Sequence, residues 1–261
     1  LIEHFQLNFT LQFLAIGILL IAGVVLAVRE RDGEKRLPWT SGKAVSFQNH
    51  ALRSPLEVLL QLFRALSQWT TGAAVLLSVI TSISLGIFIP LASDTFINVY
   101  DWESLDYSKA LGTWGIGGEL CGALLGGFLC DRLGRRRIAA VGGIGMGCAM
   151  IAFSLLLTEA SINPTWLLPI FKGFVAFQTV ALFSLYMKIC WTTSAATQFT
   201  LYMSVSNLGT YIGNEIARID GMERGTLFMI AGIAAFVPLL VLFTLRPDAI
   251  VDLRKKMEAA K

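Results

Sequence analysis

Two charged residues stand inside sequence that otherwise carries no charge. Glu119 lies in the apolar run 110–130, and Lys172 lies in the run 160–187. An ionised, unpaired carboxylate in hydrocarbon is costly. Glu119 therefore reads as a proton-binding group whose burial favours the neutral acid, or as one end of a structural hydrogen bond or ion pair. Lys172 sits roughly 9 Å below the outer end of its helix at 1.5 Å per residue. It reads as a side chain snorkelling to the interface or as a cation that holds an anionic solute. A third group is a stripe. Thr200, Ser204, Asn207, Tyr211, Glu215 and Arg218 follow one another at helical spacing, so one helix face carries them all. Glu215 and Arg218, three apart, suit a local ion pair. Glu119, Lys172, Gln178, Ser204, Asn207 and Tyr211 are the candidates for solute and proton binding. No catalytic residue is expected, since no nucleophile lies in an evident constellation with a base. Cys121, Cys130, Cys148 and Cys190 form no CxxC pair, and His4 and His50 stand apart. No metal site, disulfide frame or cofactor is expected.

The elements that position these groups must cross a bilayer. The chain has 261 residues, 55% of them hydrophobic and only 15% charged, with a mean hydropathy of +0.66. A soluble domain carries about 25% charged residues. Seven windows, 4–28, 65–93, 110–130, 138–158, 160–187, 189–214 and 225–245, hold no charges except Glu119 and Lys172. Each is long enough for a spanning helix of about 20 residues, and backbone groups cannot go unpaired in hydrocarbon. Barrel strands of about ten residues fit poorly. This pattern excludes a soluble enzyme, a nucleic-acid binder and a disordered chain. The fold class is all-α integral membrane, with spans expected at 9–28, 70–92, 110–130, 138–158, 166–187, 199–218 and 225–245. The sequence opens at Leu1 without a basic n-region or small-residue cleavage site, so 4–28 reads as a span and the chain as a piece of something longer.

Lysine and arginine set the expected orientation. One set of loops holds Arg29, Arg31, Lys35, Arg36, Lys43, Arg53, Arg64, then Arg132, Arg135, Arg136 and Arg137, then Lys188, then Arg246, Arg254, Lys255, Lys256 and Lys261. The opposite set holds Lys109, Arg218 and Arg224. The first set is expected to be cytoplasmic, with the C-terminal tail inside. The acidic loop 94–108 and the placement of Trp69, Trp166 and Trp191 near span ends agree with this. Within the long inner loop 29–68, Ser54-Pro55-Leu56-Glu57 reads as a capping box with proline at the first helical position. Residues 55–67 then suit either an amphipathic helix on the membrane face or an inward extension of the second span.

The most specific string is Gly127-Phe128-Leu129-Cys130-Asp131-Arg132-Leu133-Gly134-Arg135-Arg136-Arg137. Two helices must reverse there within about six residues, and Gly134 permits the turn. Asp131 is a lone acid among cations, able to bond a helix N-terminus and a nearby guanidinium. Such a contact could hold the inner side closed and break when the bundle rocks. The string resembles the signature loop of the major facilitator superfamily, Gly-x3-Asp-Arg-x-Gly-x-Arg-Arg. That family carries the loop between helices two and three and again between helices eight and nine. The resemblance implies that the seven spans match helices six to twelve of a twelve-helix transporter. Residues 1–28 would then be the last helix of the N-terminal half, 29–68 the cytoplasmic central loop, 69–246 the C-terminal six-helix bundle and 247–261 the cytoplasmic tail. In that family each six-helix half is built from two inverted three-helix repeats. Residues 194–209, Ser-Ala-Ala-Thr-Gln-Phe-Thr-Leu-Tyr-Met-Ser-Val-Ser-Asn-Leu-Gly, resemble the AmpG muropeptide permease branch, which includes the acetyl-CoA transporters.

Polarity agrees with that register. The first, fourth and seventh spans are almost wholly apolar, and the others carry the polar groups. Gly118, Gly122 and Gly126, and Gly143 with Gly147, allow close helix approach. The resemblance implies a secondary transporter in a bacterial inner membrane. It would work by alternating access on a muropeptide-like or other anionic solute moved with protons. Its partners would be that small-molecule substrate, protons, the bilayer and the missing N-terminal half, with no nucleic acid. A seven-helix receptor or rhodopsin-like protein, suggested by the span count and the intramembrane lysine, is the competing class.

Overall fold

The computed structural model describes residues 2–27, 63, 66–157, 164–190, 195–219 and 221–245. The expected surface helix 55–67 lies almost wholly outside them, and Trp191, Ser194 and the tail 247–261 lie outside entirely. The described residues form α1 (Ile2–Ala27), α2 (Trp69–Asn98), α3 (Ser104–Leu133), α4 (Arg135–Leu157), α5 (Leu167–Ile189), α6 (Ala195–Ala217) and α7 (Arg224–Thr244). No strand occurs among them. Helices α2, α3, α4, α5 with its leading turn, and α7 are long and apolar enough to cross a membrane. The stripe on α6 lowers its hydropathy below the same standard, although its 23 residues are long enough to span.

The chain divides into two units, Leu1–Pro55 and Leu56–Lys261. The first contains α1, whose most apolar stretch is Leu14–Val24. The second contains α2 to α7, packed as a bundle.

Pairing within the bundle has an internal symmetry. Helix α2 packs along α6, and α3 along α5, while α4 packs on α5 and α7, and α7 on α2. Exchanging α2 with α5, α3 with α6 and α4 with α7 turns every one of these pairings into another of the set. The first three helices therefore repeat as the last three, and alternation of direction makes the repeats inverted.

Two departures from the expected spans have local causes. Helix α3 begins at Ser104 rather than near 110, with Asp106 in its first turn near the positive end of the helix and Lys109 meeting it at 3.3 Å. It then passes through a π-turn at Leu111–Gly115 before resuming as regular helix. Helix α7 breaks at Ala235 and Phe236, ahead of Pro238, whose missing N–H cannot bond the carbonyl one turn back.

The seams explain where the glycines and hydroxyls of the sequence go. A Cβ on Gly118 would land on the Pro169 carbonyl, and one on Gly122 on the Gly173 carbonyl. Across the matching seam, Gly209 and Gly213 face the carbonyls of Val79 and Ile83 in the same way. Between α2 and α6, the Ser78 hydroxyl donates to the Tyr202 carbonyl at 2.8 Å, and Ser82 and Ser206 share a 2.6 Å hydrogen bond. The Gln198 amide donates to the Thr71 hydroxyl and to the Tyr202 phenol, each at 3.0 Å. The polar side chains of α2 are thus buried against a neighbouring helix and do not line an open face. In hydrocarbon each such bond contributes about 0.6–2 kcal/mol. Gln198→Leu is expected to lower the melting midpoint in detergent by an amount equivalent to about 1–3 kcal/mol, since it removes the amide donor from two buried hydroxyls. An unchanged midpoint would show that the network is not structural.

Candidate functional site

Glu119 and Lys172 come together. The Lys172 ammonium donates to Glu119 Oε1 at 2.6 Å, across the seam between α3 and α5. The glycines make this possible. Close approach at Gly118 and Gly122 brings the two backbones near enough for a carboxylate on α3 to meet an ammonium on α5. Gly115, in the π-turn, lies against the Lys172 stem, 3.7 Å from where a Cβ would sit. The pair is part-buried, with side chains 27% and 41% exposed. Against α5, Gly118 is level with Pro169 and Gly122 with Gly173, so Glu119 and Lys172 stand at one height along the seam.

The α6 stripe is open along its whole length. Thr200, Ser204, Asn207, Tyr211, Glu215 and Arg218 are all exposed, Tyr211 by 60%. Glu215 and Arg218 form the expected local pair at 3.1 Å. Helix α5 has its own partly open stripe, which runs from Lys172 through Ala176 and Thr179 to Phe183. Phe183 meets Phe199 of α6 edge to face at 5.8 Å. Phe199 is the neighbour of Thr200, where the α6 stripe begins, so the two stripes flank one contact.

Gln178 is not brought to that face. It is 2% exposed and lies in the α4–α5 seam over Gly142 and Gly143, with its amide nitrogen unpartnered among the described residues. Those glycines make the space that the side chain fills.

At the other end of α3, Gly134 adopts φ 90, and its N–H caps the helix on the Cys130 carbonyl at 3.1 Å. Only glycine takes that backbone without strain. Gly127 faces Val180 of α5. Arg132 lies over the Phe128 ring at 4.2 Å. Arg136 ties the turn to another helix. Its guanidinium donates to the Leu245 carbonyl at 3.1 Å and the Phe243 carbonyl at 2.8 Å, closing the C-terminal end of α7. The Asp131 carboxylate is exposed and forms no hydrogen bond or ion pair among the described residues. Arg135 and Arg137 flank the same turn.

The sequence profile of the Major Facilitator Superfamily matches residues 2–214. The chain belongs to the major facilitator superfamily. No curated protein matches it closely. The family's members are transporters set in a lipid bilayer, so this major facilitator chain is an integral membrane protein of a transport family that handles small solutes. The receptor or rhodopsin class is not favoured, and the amine of Lys172 is already held by a carboxylate.

Two features of this major facilitator bundle escaped the sequence reading. Arg224, at the start of α7, donates to Asp94 near the end of α2 at 2.8 Å, with Asn98 donating to the same carboxylate at 2.5 Å. The two ends lie 130 residues apart in the chain, and the repeat topology is what brings them together. The second feature is Tyr202, fully buried between Gln198 and Tyr186. Its position opposite the polar stripe was the available signal.

Proposed function

We propose that this chain is the C-terminal half of a proton-coupled secondary transporter that takes up an anionic solute of the muropeptide kind, as the AmpG branch it resembles would. The observation that carries this reading is the open stripe on α6. Six polar or charged side chains in one line cannot face hydrocarbon along a membrane-spanning helix. They require a second bundle, or water between two bundles, on that side.

The Glu119–Lys172 pair supplies a coupling scheme. With the site empty, the carboxylate neutralises the ammonium. A proton arriving from outside passes to the Glu119 carboxylate and breaks the ion pair. The Lys172 ammonium keeps its charge and takes a carboxylate or phosphate of the solute in place of Glu119. Asn207, Ser204 and Tyr211 offer neutral donors and acceptors to the sugar and amide groups. When the bundles rock, solute and proton leave on the other side and the pair re-forms. The loop Gly127–Arg137 would lie on the cytoplasmic side, since the basic loops fall at that end.

Solute protection tests this reading. In full-length protein lacking Cys121 and Cys148, Asn207→Cys is expected to react with a membrane-impermeant maleimide. A disaccharide-peptide with free carboxylates should slow that reaction, and Tyr202→Cys should stay unreactive. An unreactive Asn207→Cys, or a rate untouched by solute, would place the site elsewhere.

A further inference from the structure

We propose that the basic end of the bundle holds a binding site for the headgroup of an anionic phospholipid. A basin of about 1010 Å³ opens there between the α3–α4 turn and the ends of α5 and α7. Its rim carries Arg135, Arg136, Arg137 and Lys188, with Asp131 the one acid among its lining residues. Its apolar lining is Ala140, Leu185, Leu239, Leu242 and Phe243. Cationic and apolar lining residues together match an amphiphile whose phosphate meets the guanidinium groups while its glycerol and first methylenes lie on leucine.

Depth supports a lipid over a soluble anion. Helix α5 has 23 residues, close to 35 Å at 1.5 Å each, against a hydrocarbon thickness of about 30 Å. A helix of that length has room for its last turn, which carries Lys188, at headgroup level, where phosphates are concentrated. Arg136 is fixed by the two α7 carbonyls it bonds, so its charge is held at the basin without further ordering. Helix α4 starts at Arg135, so its first N–H groups add to the same positive end. The sixteen residues after Leu245 carry Arg246, Arg254, Lys255, Lys256 and Lys261 against Asp248, Asp252 and Glu258. A net positive tail does not complement this basin, and an anionic lipid does.

Native mass spectrometry of the detergent-purified protein, titrated with palmitoyl-oleoyl phosphatidylglycerol, tests the assignment. Wild type is expected to retain this lipid at least about fivefold better than the Arg135→Gln, Arg137→Gln double variant, a gap of about 1 kcal/mol. Both should retain palmitoyl-oleoyl phosphatidylcholine equally. Inorganic phosphate at millimolar concentration should leave the bound lipid in place. Equal retention by both proteins overturns the site. Displacement by phosphate alone overturns the lipid as its occupant. A photoactivatable phosphatidylglycerol applied to wild type guards against a misfolded variant: crosslinks should map to peptides from 130–140, 185–188 and 239–243, and crosslinks elsewhere only would refute the proposal.

Discussion

Glu119→Gln and Lys172→Gln are each expected to reduce solute uptake at least about a hundredfold, with the double variant no more active than either. A hundredfold loss corresponds to about 2.7 kcal/mol of lost stabilisation of the limiting step. The reason lies in the exchange of partners. If Lys172 must leave Glu119 for the solute, then without Lys172 the solute has no cation to meet. Without an ionisable group at 119 the proton has no seat. Stability should follow a different order. Removing one partner of a buried ion pair leaves an uncompensated charge at a cost of about 3–5 kcal/mol. Side-chain exposures of 27% and 41% within this chain call for a smaller figure, about 1–2 kcal/mol. The double variant, with no charge left, should melt closer to wild type than either single variant. Detergent melting curves and uptake on the same four proteins separate the two roles. A double variant that regains uptake as it regains stability would reduce the pair to a structural brace.

Gly122→Ala should have a comparable effect by another route. The added Cβ would land on the backbone oxygen of Gly173, which cannot move aside as a flexible side chain can. The α3–α5 seam must open, and overpacking of this kind costs about 1–3 kcal/mol or more. The consequence reaches Glu119, one turn back on α3, because its 2.6 Å contact with Lys172 depends on the same closeness of backbones. The variant is expected to melt lower and to lose most of its uptake. Gly117→Ala, on the open side of the same helix with nothing within 4 Å, should leave the melting midpoint unchanged. Equal midpoints for Gly122→Ala and wild type would show that the seam is looser than described.

The seven runs were legible because the bilayer enforces length and apolarity, and two charges could not hide them. The turn at Gly134 was legible because few residues permit so short a reversal. The meeting of Glu119 with Lys172 was not, since nothing local ties two residues 53 apart. It follows from α3 and α5 lying parallel, a fact of the repeat and not of either segment. Polarity in a span does not by itself mark an open face. On α6 the polar residues keep one line, and that line is exposed. On α2 the hydroxyls of Thr71, Ser78 and Ser82 turn to α6 and are consumed there. Gln178 misled for the same reason: one polar residue has no periodicity to show which way it faces. Asp131 and Arg136 show the limit of a motif. The string placed both at the turn, but the residue that ties the turn to α7 is the arginine, through carbonyls that carry no side-chain signature.

Coupling itself is the claim to test most directly. The chain, joined to the five helices that would precede α1 and reconstituted in lightly buffered vesicles, should alkalinise the outer medium when an anionic disaccharide-peptide is added. The protons taken up should track the solute that enters, and Glu119→Gln should abolish the signal. Solute entry without alkalinisation, or alkalinisation that survives Glu119→Gln, would contradict a proton-coupled site at the Glu119–Lys172 pair.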